Sequence, residues 1–318
     1  MAEPRSLREA FGRALVEVGR RRDDFVVLDA DVAGGTGTVH FKQAFPDRFY
    51  DFGIAEQNMM AAAAGIAATG VIPVVTTFAV FATMRALEQL RTFVAYPRFP
   101  VKVAGSHCGV DAGPDGATAQ ALEDLAITRA IPALAVVVPA DPVEMAAAVD
   151  AILAHPGPVY LRTGRSPLPV LFGADHRFAV GRAQVLEEGS DVTLVACGTM
   201  VHRTIAAATA LRREGIRARV VNCPTLKPLD VECLVASAER TGAVVTAEDH
   251  SVIGGLGGAV AEALAERCPV PVARVGVRDR FGASGDPLVL AQHFGLGAED
   301  VAAAARRLVR AKERRRVA

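Results

Sequence analysis

Tryptophan is absent from this sequence, and aromatic residues make up only 5% of its 318 positions. Since half of the chain is nevertheless apolar, at 51%, the core must be built from Ala, Val and Leu, which suit helices packed closely on sheets. Lys and Arg balance Asp and Glu at 35 each, which argues against nucleic acid as a partner. No apolar run approaches the roughly 18 residues that a membrane helix needs, so no membrane partner is expected.

Cysteine is also scarce, with five residues in odd number and without CxxC spacing. Such thiols are typical of the reduced core of an intracellular protein. The N-terminal segment lacks the apolar region of a secretory signal. We therefore expect a cytoplasmic protein, and no metal site made by this chain's residues alone.

Strand and helix patterns alternate along the chain, whose length is enough for about two domains. The predicted strands are 25–29, 49–52, 71–77, 101–104, 135–138, 159–162, 191–197, 217–222, 243–248 and 271–277. The predicted helices are 6–20, 56–69, 78–95, 119–130, 142–154, 203–214 and 258–267. This alternation predicts an α/β fold of two doubly wound domains with mainly parallel sheets. An aperiodic stretch with two prolines separates them, giving a first domain at 1–168, a linker at 169–184 and a second domain at 185–318.

Glu56 stands where a predicted strand gives way to a helix of small residues. Open α/β sheets bind ligands at the carboxyl ends of their strands, and a helix N-terminus favours an ionised carboxylate. Such an acid suits proton exchange with a heteroaromatic nitrogen. Glu is also common in the first turn of ordinary helices, and the segment alone favours that reading.

Three other segments carry candidate functional side chains. Phe78 and Phe81, three residues apart, can form a stacking platform or simply pack in the core. His107 and Asp115 lie in a long glycine-rich loop, which is equally consistent with substrate binding and with an ordinary turn. Arg165 follows a strand and suits a phosphate or carboxylate, or is a surface arginine.

The order of these segments resembles the transketolase family. Gly-Ile-Ala-Glu-Gln-Asn, Thr-Phe-x-x-Phe, Ser-His…Pro-Asp-Gly-Ala-Thr, Pro-Ala-Asp-Pro and Arg-x-x-Arg follow one another as in its pyrimidine-binding domain. Glu-Asp-His-Ser-Val-Ile-Gly-Gly-Leu-Gly at 248–257 and Phe-Gly-Ala-Ser-Gly at 281–285 resemble a C-terminal domain shared with deoxyxylulose-phosphate synthases and 2-oxoacid dehydrogenase β subunits. The resemblance spans nearly the whole chain, and Thr-Phe-x-x-Phe points to the transketolase branch.

The resemblance implies thiamine diphosphate as cofactor and assigns roles around it. Glu56 would contact the pyrimidine N1′ and promote loss of the thiazolium C2 proton. Phe78 and Phe81 would flank the pyrimidine ring. Asp31 would lie near the thiazolium, across a subunit interface.

The resemblance also implies a sugar substrate. His107 and Arg165 match positions that bind the substrate phosphate, and Asp115 matches one that reads a hydroxyl. The glycine-rich loop with Thr36 falls where transketolases approach the substrate. For the second domain the expectation is dimerisation and stability, without a chemical role.

Two family features are missing. The diphosphate and Mg²⁺ motif, Gly-Asp-Gly followed by Asn, is absent, since the only Gly-Asp pair, Gly285-Asp286, precedes Pro287. We therefore expect a separate N-terminal subunit that carries this motif and completes the thiamine diphosphate and Mg²⁺ site, in an α2β2 assembly. Ala119 replaces a family His, which puts the usual sugar phosphate in doubt and favours a modified or unphosphorylated ketose.

The implied activity is transfer of a two-carbon ketol unit from a ketose to an aldehyde. Three alternatives remain open: a 2-oxoacid dehydrogenase β subunit, a deoxyxylulose-phosphate synthase-like enzyme, and a catalytically silent scaffold. Retention of Glu56 and both Phe residues argues against the scaffold.

Overall fold

The computed structural model describes residues 3–317. The strands are β1 Arg5–Ser6, β2 Phe25–Asp29, β3 Phe49–Asp51, β4 Ile72–Phe78, β5 Lys102–Ser106, β6 Ala135–Val137, β7 Val159–Arg162, β8 Pro167–Leu168, β9 Gln184–Glu187, β10 Val192–Ala196, β11 Ala218–Asn222, β12 Thr225–Lys227, β13 Val244–Ser251 and β14 Val272–Val277. The helices are α1 Leu7–Gly19, α2 Ala33–Thr36, α3 Val39–Ala44, α4 Glu56–Ala68, α5 Leu87–Gln89, α6 Asp124–Ala130, α7 Pro142–Ala154, α8 Met200–Arg213, α9 Val231–Thr241, α10 Leu256–Arg267, α11 Pro287–His293 and α12 Ala298–Val317. Tighter 3-10 turns lie at Pro46–Arg48 and Val110–Asp115, and wider π-helical turns at Phe81–Arg85 and Leu90–Ala95.

Two large sheets organise most of these elements, and β1 and β8 form a separate two-stranded sheet. The first has seven strands in the order β12-β6-β7-β5-β4-β2-β3, and only β12 runs antiparallel to its neighbour. The second has five strands in the order β14-β13-β10-β11-β9, with β9 antiparallel. The predicted α/β class with mainly parallel sheets is confirmed.

The two halves of the chain are joined through the first sheet. β12 lies beyond the proposed linker, yet it pairs with β6 and closes that sheet. At the end of the proposed first domain, β8 pairs with the N-terminal β1. One continuous core cluster also extends from Leu28 in the first sheet to Val221 in the second. The domain boundaries proposed at residues 168 and 185 therefore stay a prediction. Strand pairing and core packing both extend across them.

Local sequence explains why some elements begin where they do. At α7, the Asp141 side chain accepts a hydrogen bond from Glu144 N at 2.7 Å, and Pro142 occupies the first helical position. This capping residue and proline are strong start signals, and the predicted bounds of 142–154 are those observed. α1 likewise begins after Ser6, whose hydroxyl accepts from Glu9 N.

Other elements differ from the predictions. The helix predicted at 119–130 begins only at Asp124, because Ala121 forms a bridge with Cys108 and accepts a hydrogen bond from Gly109 N. The helix predicted at 78–95 begins one residue later, at Ala79, because Phe78 ends β4, and it contains two π-helical turns. α2 forms inside a segment predicted as loop, and α9, α11 and β12 were not predicted.

The cysteines agree with the expected reduced state. All five are free thiols, and Cys108, Cys197 and Cys223 are buried. Within residues 3–317, no helix is both long and apolar enough to cross a membrane.

Candidate active site

The predicted site residues gather at one edge of the first sheet. The strands β2, β4 and β5 end side by side there, where Asp29 pairs with Thr76 and Phe78 pairs with Ser106. β3 pairs with β2 and leads into α4, which starts at Glu56. Carboxyl ends of parallel strands are the usual ligand-binding edge of an open α/β sheet.

Glu56 is buried at the first position of α4, with 2% of its surface exposed. Its two carboxylate oxygens accept hydrogen bonds from one nitrogen of Arg85, at 2.9 and 2.8 Å. The guanidinium of Arg85 also lies over the Phe81 ring, 4.4 Å from its centroid. Glu56 is therefore arranged to hold a planar nitrogen-bearing group that stacks on Phe81.

The two predicted aromatic residues form a continuous line of rings with a histidine. Phe78 and Phe81 have centroids 5.9 Å apart and planes inclined by 15°. Phe78 also stacks on the His107 imidazole, with ring centroids 3.9 Å apart. The rings thus connect the surroundings of Glu56 with the loop that carries the predicted substrate residues.

Asp31 lies in an exposed turn that follows strand β2. Its backbone is in the left-handed region, with φ of 62°, a conformation that Asp tolerates better than most residues. The Asp31 and Gly53 amides both donate to Asp51 Oδ1, at 3.1 and 3.0 Å. Asp51 therefore ties the Asp31 turn to the segment that leads into Glu56.

Thr36 is buried, and its side chain is engaged inside the protein. Its hydroxyl lies 3.1 Å from Asp29 Oδ2 and 2.9 Å from the Thr38 hydroxyl. Asp29 also accepts hydrogen bonds from Thr38 and Thr76. The Thr36 side chain holds the glycine-rich loop in place, and its contact with substrate stays a prediction.

Three of the four residues predicted to bind substrate, His107, Asp115 and Arg165, come together in a charged cluster. His107 Nε2 lies 3.8 Å from one Asp115 oxygen, and Arg165 Nη2 lies 4.0 Å from the other. Arg8, from α1, donates from Nη1 to Gly35 O at 2.6 Å and interacts electrostatically with Arg165 and Asp115 of this cluster. Burial first, and then Arg165, lower the pKa of Arg8, so the two guanidinium groups share one electrostatic environment.

His107 is held in an unusual and uncharged state. It adopts a φ of 58°, is buried, and its Nδ1 lies 2.7 Å from the Ser106 hydroxyl. Burial, followed by the positive charges of Arg8 and Arg165, lowers the pKa of His107 to about 3. A neutral imidazole therefore contributes hydrogen bonds, and the arginines contribute the positive charge.

Ala119 lies buried in the same loop, where its amide donates to Gly116 O at 3.0 Å. Its methyl side chain offers no hydrogen bond. The neighbouring Gln120 instead turns its amide to Gly113 O and Ala283 O. The expected change of substrate at this position stays a prediction.

Sequence reasoning missed Arg8 and Arg85. Arg85 lies four residues after Phe81, a helical spacing that brings side chains together, so this contact had a detectable signal. Arg8 reaches Gly35 across 27 positions of sequence, and no local pattern indicates that contact. Within the described range 3–317, no three His, Cys, Asp or Glu side chains are grouped so that they could hold a metal ion.

Comparison with known families gives two matches that follow each other along the chain. Residues 3–170 match the transketolase pyrimidine-binding domain. Residues 181–301 match the transketolase C-terminal domain.

Individual relatives agree with these matches. The chain is 44% identical to the 6-deoxy-6-sulfo-D-fructose transketolase subunit SqwH of Clostridium sp. (strain MSTE9), over 96% of this chain and 95% of that subunit. It is 37% identical to human transketolase, over 95% of this chain but only 49% of the human protein. A solved structure described as a split gene transketolase in an inactive β4 tetramer superposes with a TM-score of 0.89 at 50% identity, covering 96% of this chain and 99% of that one.

Proposed function

The chain belongs to the transketolase family, and we propose that with a separate N-terminal subunit it transfers a two-carbon ketol unit from a ketose donor to an aldehyde acceptor. The observation that carries this proposal is the buried Glu56 carboxylate beside the Phe81 ring. The proposal also explains why a second, charged cluster lies at the same sheet edge.

The residues present fit thiamine diphosphate. Its aminopyrimidine is a planar ring with nitrogen at its edge, and Glu56 with Phe81 already holds a planar nitrogen group in that manner. When bound, the cofactor supplies the nucleophilic carbon that attacks the donor carbonyl. Glu56 would share a proton with the ring nitrogen, and burial keeps competing water from the carboxylate.

The charged cluster would bind the far end of the donor. Arg8 and Arg165 suit an oxyanion, and neutral His107 can add a hydrogen bond. Asp115 can accept a hydrogen bond from a sugar hydroxyl. We infer a donor ketose that ends in a phosphate or a sulfonate. The relative SqwH, which is named for a 6-sulfo ketose, supports the sulfonate.

We propose that the partner subunit carries the Gly-Asp-Gly…Asn motif and supplies the Mg²⁺ and diphosphate contacts in an α2β2 assembly. Two relatives support this proposal. Human transketolase extends well beyond the half that this chain matches. The split gene transketolase structure is described as an inactive β4 tetramer.

The test is reconstitution. The chain is purified alone and with a co-expressed subunit that carries the motif, and each sample is assayed with thiamine diphosphate, Mg²⁺ and ketose donors. We expect ketol transfer only from the mixed complex, with a mass that corresponds to two copies of each chain. Full activity from the chain alone would overturn the partner requirement.

The same samples separate the rival functions. Reduction of a lipoyl domain without ketol transfer would indicate a 2-oxoacid dehydrogenase β subunit. Release of CO₂ from pyruvate would indicate a deoxyxylulose-phosphate synthase-like enzyme. A complex whose activity survives Glu56→Ala would make this chain a scaffold.

A further inference from the structure

Asp249, in strand β13 of the second sheet, contacts the loop that carries the charged cluster. The side chain is 3% exposed. Its Oδ1 accepts a hydrogen bond from Val110 N at 2.9 Å, and its Oδ2 accepts one from Asp111 N at 3.3 Å. A side chain at Gly109 would collide with this carboxylate at 2.2 Å, so loop and carboxylate fit closely.

Asp111 connects the loop that Asp249 contacts to Arg165. The Asp111 carboxylate accepts hydrogen bonds from the backbone amides of Arg165 and Ser166, at 2.6 and 2.9 Å. Arg165 in turn donates from its guanidinium to Ala112 O at 3.2 Å. The position of the arginine therefore depends on the same loop that Asp249 holds.

The backbone carbonyl of Asp249 is held by a second set of contacts. It accepts a hydrogen bond from Arg162 Nη2 at 2.9 Å. Arg162 is buried in an ion pair with Asp124, at 2.7 Å from Nε and 3.0 Å from Nη2. Asp124 also accepts from the Tyr160 hydroxyl at 2.7 Å, so the support reaches into β7 of the first sheet.

A second connection holds the other end of the loop. Gln120 Nε2 donates to Gly113 O at 3.3 Å and to Ala283 O, in the second half of the chain, at 2.8 Å. Near Asp115, a side chain at Gly116 would lie 2.5 Å from the Ser284 hydroxyl. Residues beyond the proposed linker thus contact the loop at both ends.

We propose that Asp249 is a positioning residue, which holds the loop from His107 to Asp115 and, through Asp111, Arg165 in the geometry that binds the anionic end of the donor. The proposal rests on the proposed function. It replaces the expectation that the second domain serves only dimerisation and stability. Small displacements of binding groups are costly in catalysis, so a rigid support for this loop has a functional consequence.

The experiment compares Asp249→Asn with Glu248→Gln. Glu248 is a matched control on the same strand: it is buried and accepts two backbone hydrogen bonds, from Leu256 N and Gly257 N at 2.7 and 2.8 Å, but it does not touch the loop. Hydrogen–deuterium exchange of the loop amides is measured on the chain, and donor KM, kcat and cofactor affinity on the assembled enzyme.

For Asp249→Asn we expect exchange of the 109–116 amides to accelerate about tenfold or more, because local opening becomes easier. Donor KM should rise about tenfold or more, with cofactor affinity unchanged and kcat little changed. Glu248→Gln should leave loop exchange and donor KM as in the wild type. Equal behaviour of the two variants, or faster exchange without a change in KM, would overturn the proposal.

Asp111→Asn serves as a second variant in case Asp249→Asn does not fold. Asp111→Asn weakens the next contact in the series, and the same rise in donor KM and in exchange at 165–166 is expected. An unchanged KM in that variant would equally overturn the proposal. The exchange measurement needs no ketol transfer, so absence of transfer in the wild-type complex would count against the proposed function alone.

Discussion

The Arg85 guanidinium and the Glu56 carboxylate form an ion pair in which one nitrogen contacts both oxygens, at 2.9 and 2.8 Å. The two partners differ in exposure, because 2% of the Glu56 side chain but 44% of the Arg85 side chain is exposed. The carboxylate therefore lies inside the protein, and the guanidinium faces its surface. An aromatic ring that stacks on Phe81 and bonds to Glu56 would compete with Arg85 for both contacts.

The first prediction concerns stability. Arg85→Met should lower the free energy of unfolding by about 1–2 kcal/mol, because a buried carboxylate loses its charged donor. The double variant Glu56→Gln with Arg85→Met should recover most of that loss. Urea unfolding of the wild type, Arg85→Met, Glu56→Gln and the double variant gives the coupling energy.

The control for this cycle is an exposed ion pair. Arg267 lies 2.9 Å from Glu232, and both side chains are at least half exposed. Arg267→Met should change the free energy of unfolding by no more than about 0.5 kcal/mol. Equal losses from Arg85→Met and Arg267→Met would contradict the account of Glu56 as a buried charge.

The second prediction concerns cofactor affinity. If thiamine diphosphate takes the place of Arg85, the assembled Arg85→Met enzyme no longer has to break the ion pair. We expect tighter binding by roughly tenfold, equivalent to about 1.4 kcal/mol. Calorimetry measures it, and weaker binding by the variant would show instead that Arg85 contacts the bound cofactor favourably.

An element of this fold can be predicted from the sequence when the interactions that form it are local along the chain. Bounds of β2, α7 and β7 follow from local patterns, such as the buried apolar run of β2 and the cap at Asp141. The start of α6 does not, because Ala121 is held by Cys108 and Gly109 from another segment. β12 escapes prediction for the same reason, since its partner β6 lies far away in sequence.

The residues of the candidate site divide in the same way, into those held by local contacts and those held by contacts distant in sequence. Glu56 and the two Phe residues are detectable from motif and position, because each begins or ends a regular element. Arg8 and Asp249 are not, since their contacts with Gly35 and with Val110 span long stretches of chain. The ion pair of Glu56 with Arg85 lies between these cases: helical spacing places Arg85 near Phe81, but only the fold brings Glu56 to them.

The third prediction concerns His107. Its pKa of about 3 in the folded protein lies below the ordinary value of 6.5, because of burial and the charges of Arg8 and Arg165. Between these values the unfolded state binds the proton and the folded state does not, so stability contributed by His107 rises with pH from about 3 to 6.5. The imidazole should therefore stay neutral between pH 5 and 8.

NMR of the His107 ring protons checks this directly, with the urea-unfolded chain as the reference. A constant chemical shift from pH 5 to 8 is expected in the folded protein. A His107→Gln variant should lose the corresponding rise of unfolding free energy below pH 6.5. A His107 titration midpoint near 6.5 in the folded state would contradict the charge assignment.

The fourth prediction concerns donor choice. Ala119→His introduces an imidazole in the loop between Asp115 and Gln120, and should change the relative kcat/KM for phosphorylated, sulfonated and uncharged ketoses. A panel of such donors, assayed with the assembled enzyme, provides the measurement. An unchanged order of preference would remove Ala119 from the account of specificity.

The role of Glu56 is tested most directly by exchange of the cofactor's C2 proton with solvent deuterium, measured by NMR in the assembled enzyme. Glu56→Gln retains size and a hydrogen-bonding amide but cannot carry the charge or share a proton as a carboxylate does. In this variant we expect exchange to slow by about 10²–10⁴-fold, the usual contribution of a positioned acid or base. Glu88→Gln, on α5, serves as the control and should exchange like the wild type. Exchange at the wild-type rate in Glu56→Gln would contradict the claim that this carboxylate activates the cofactor.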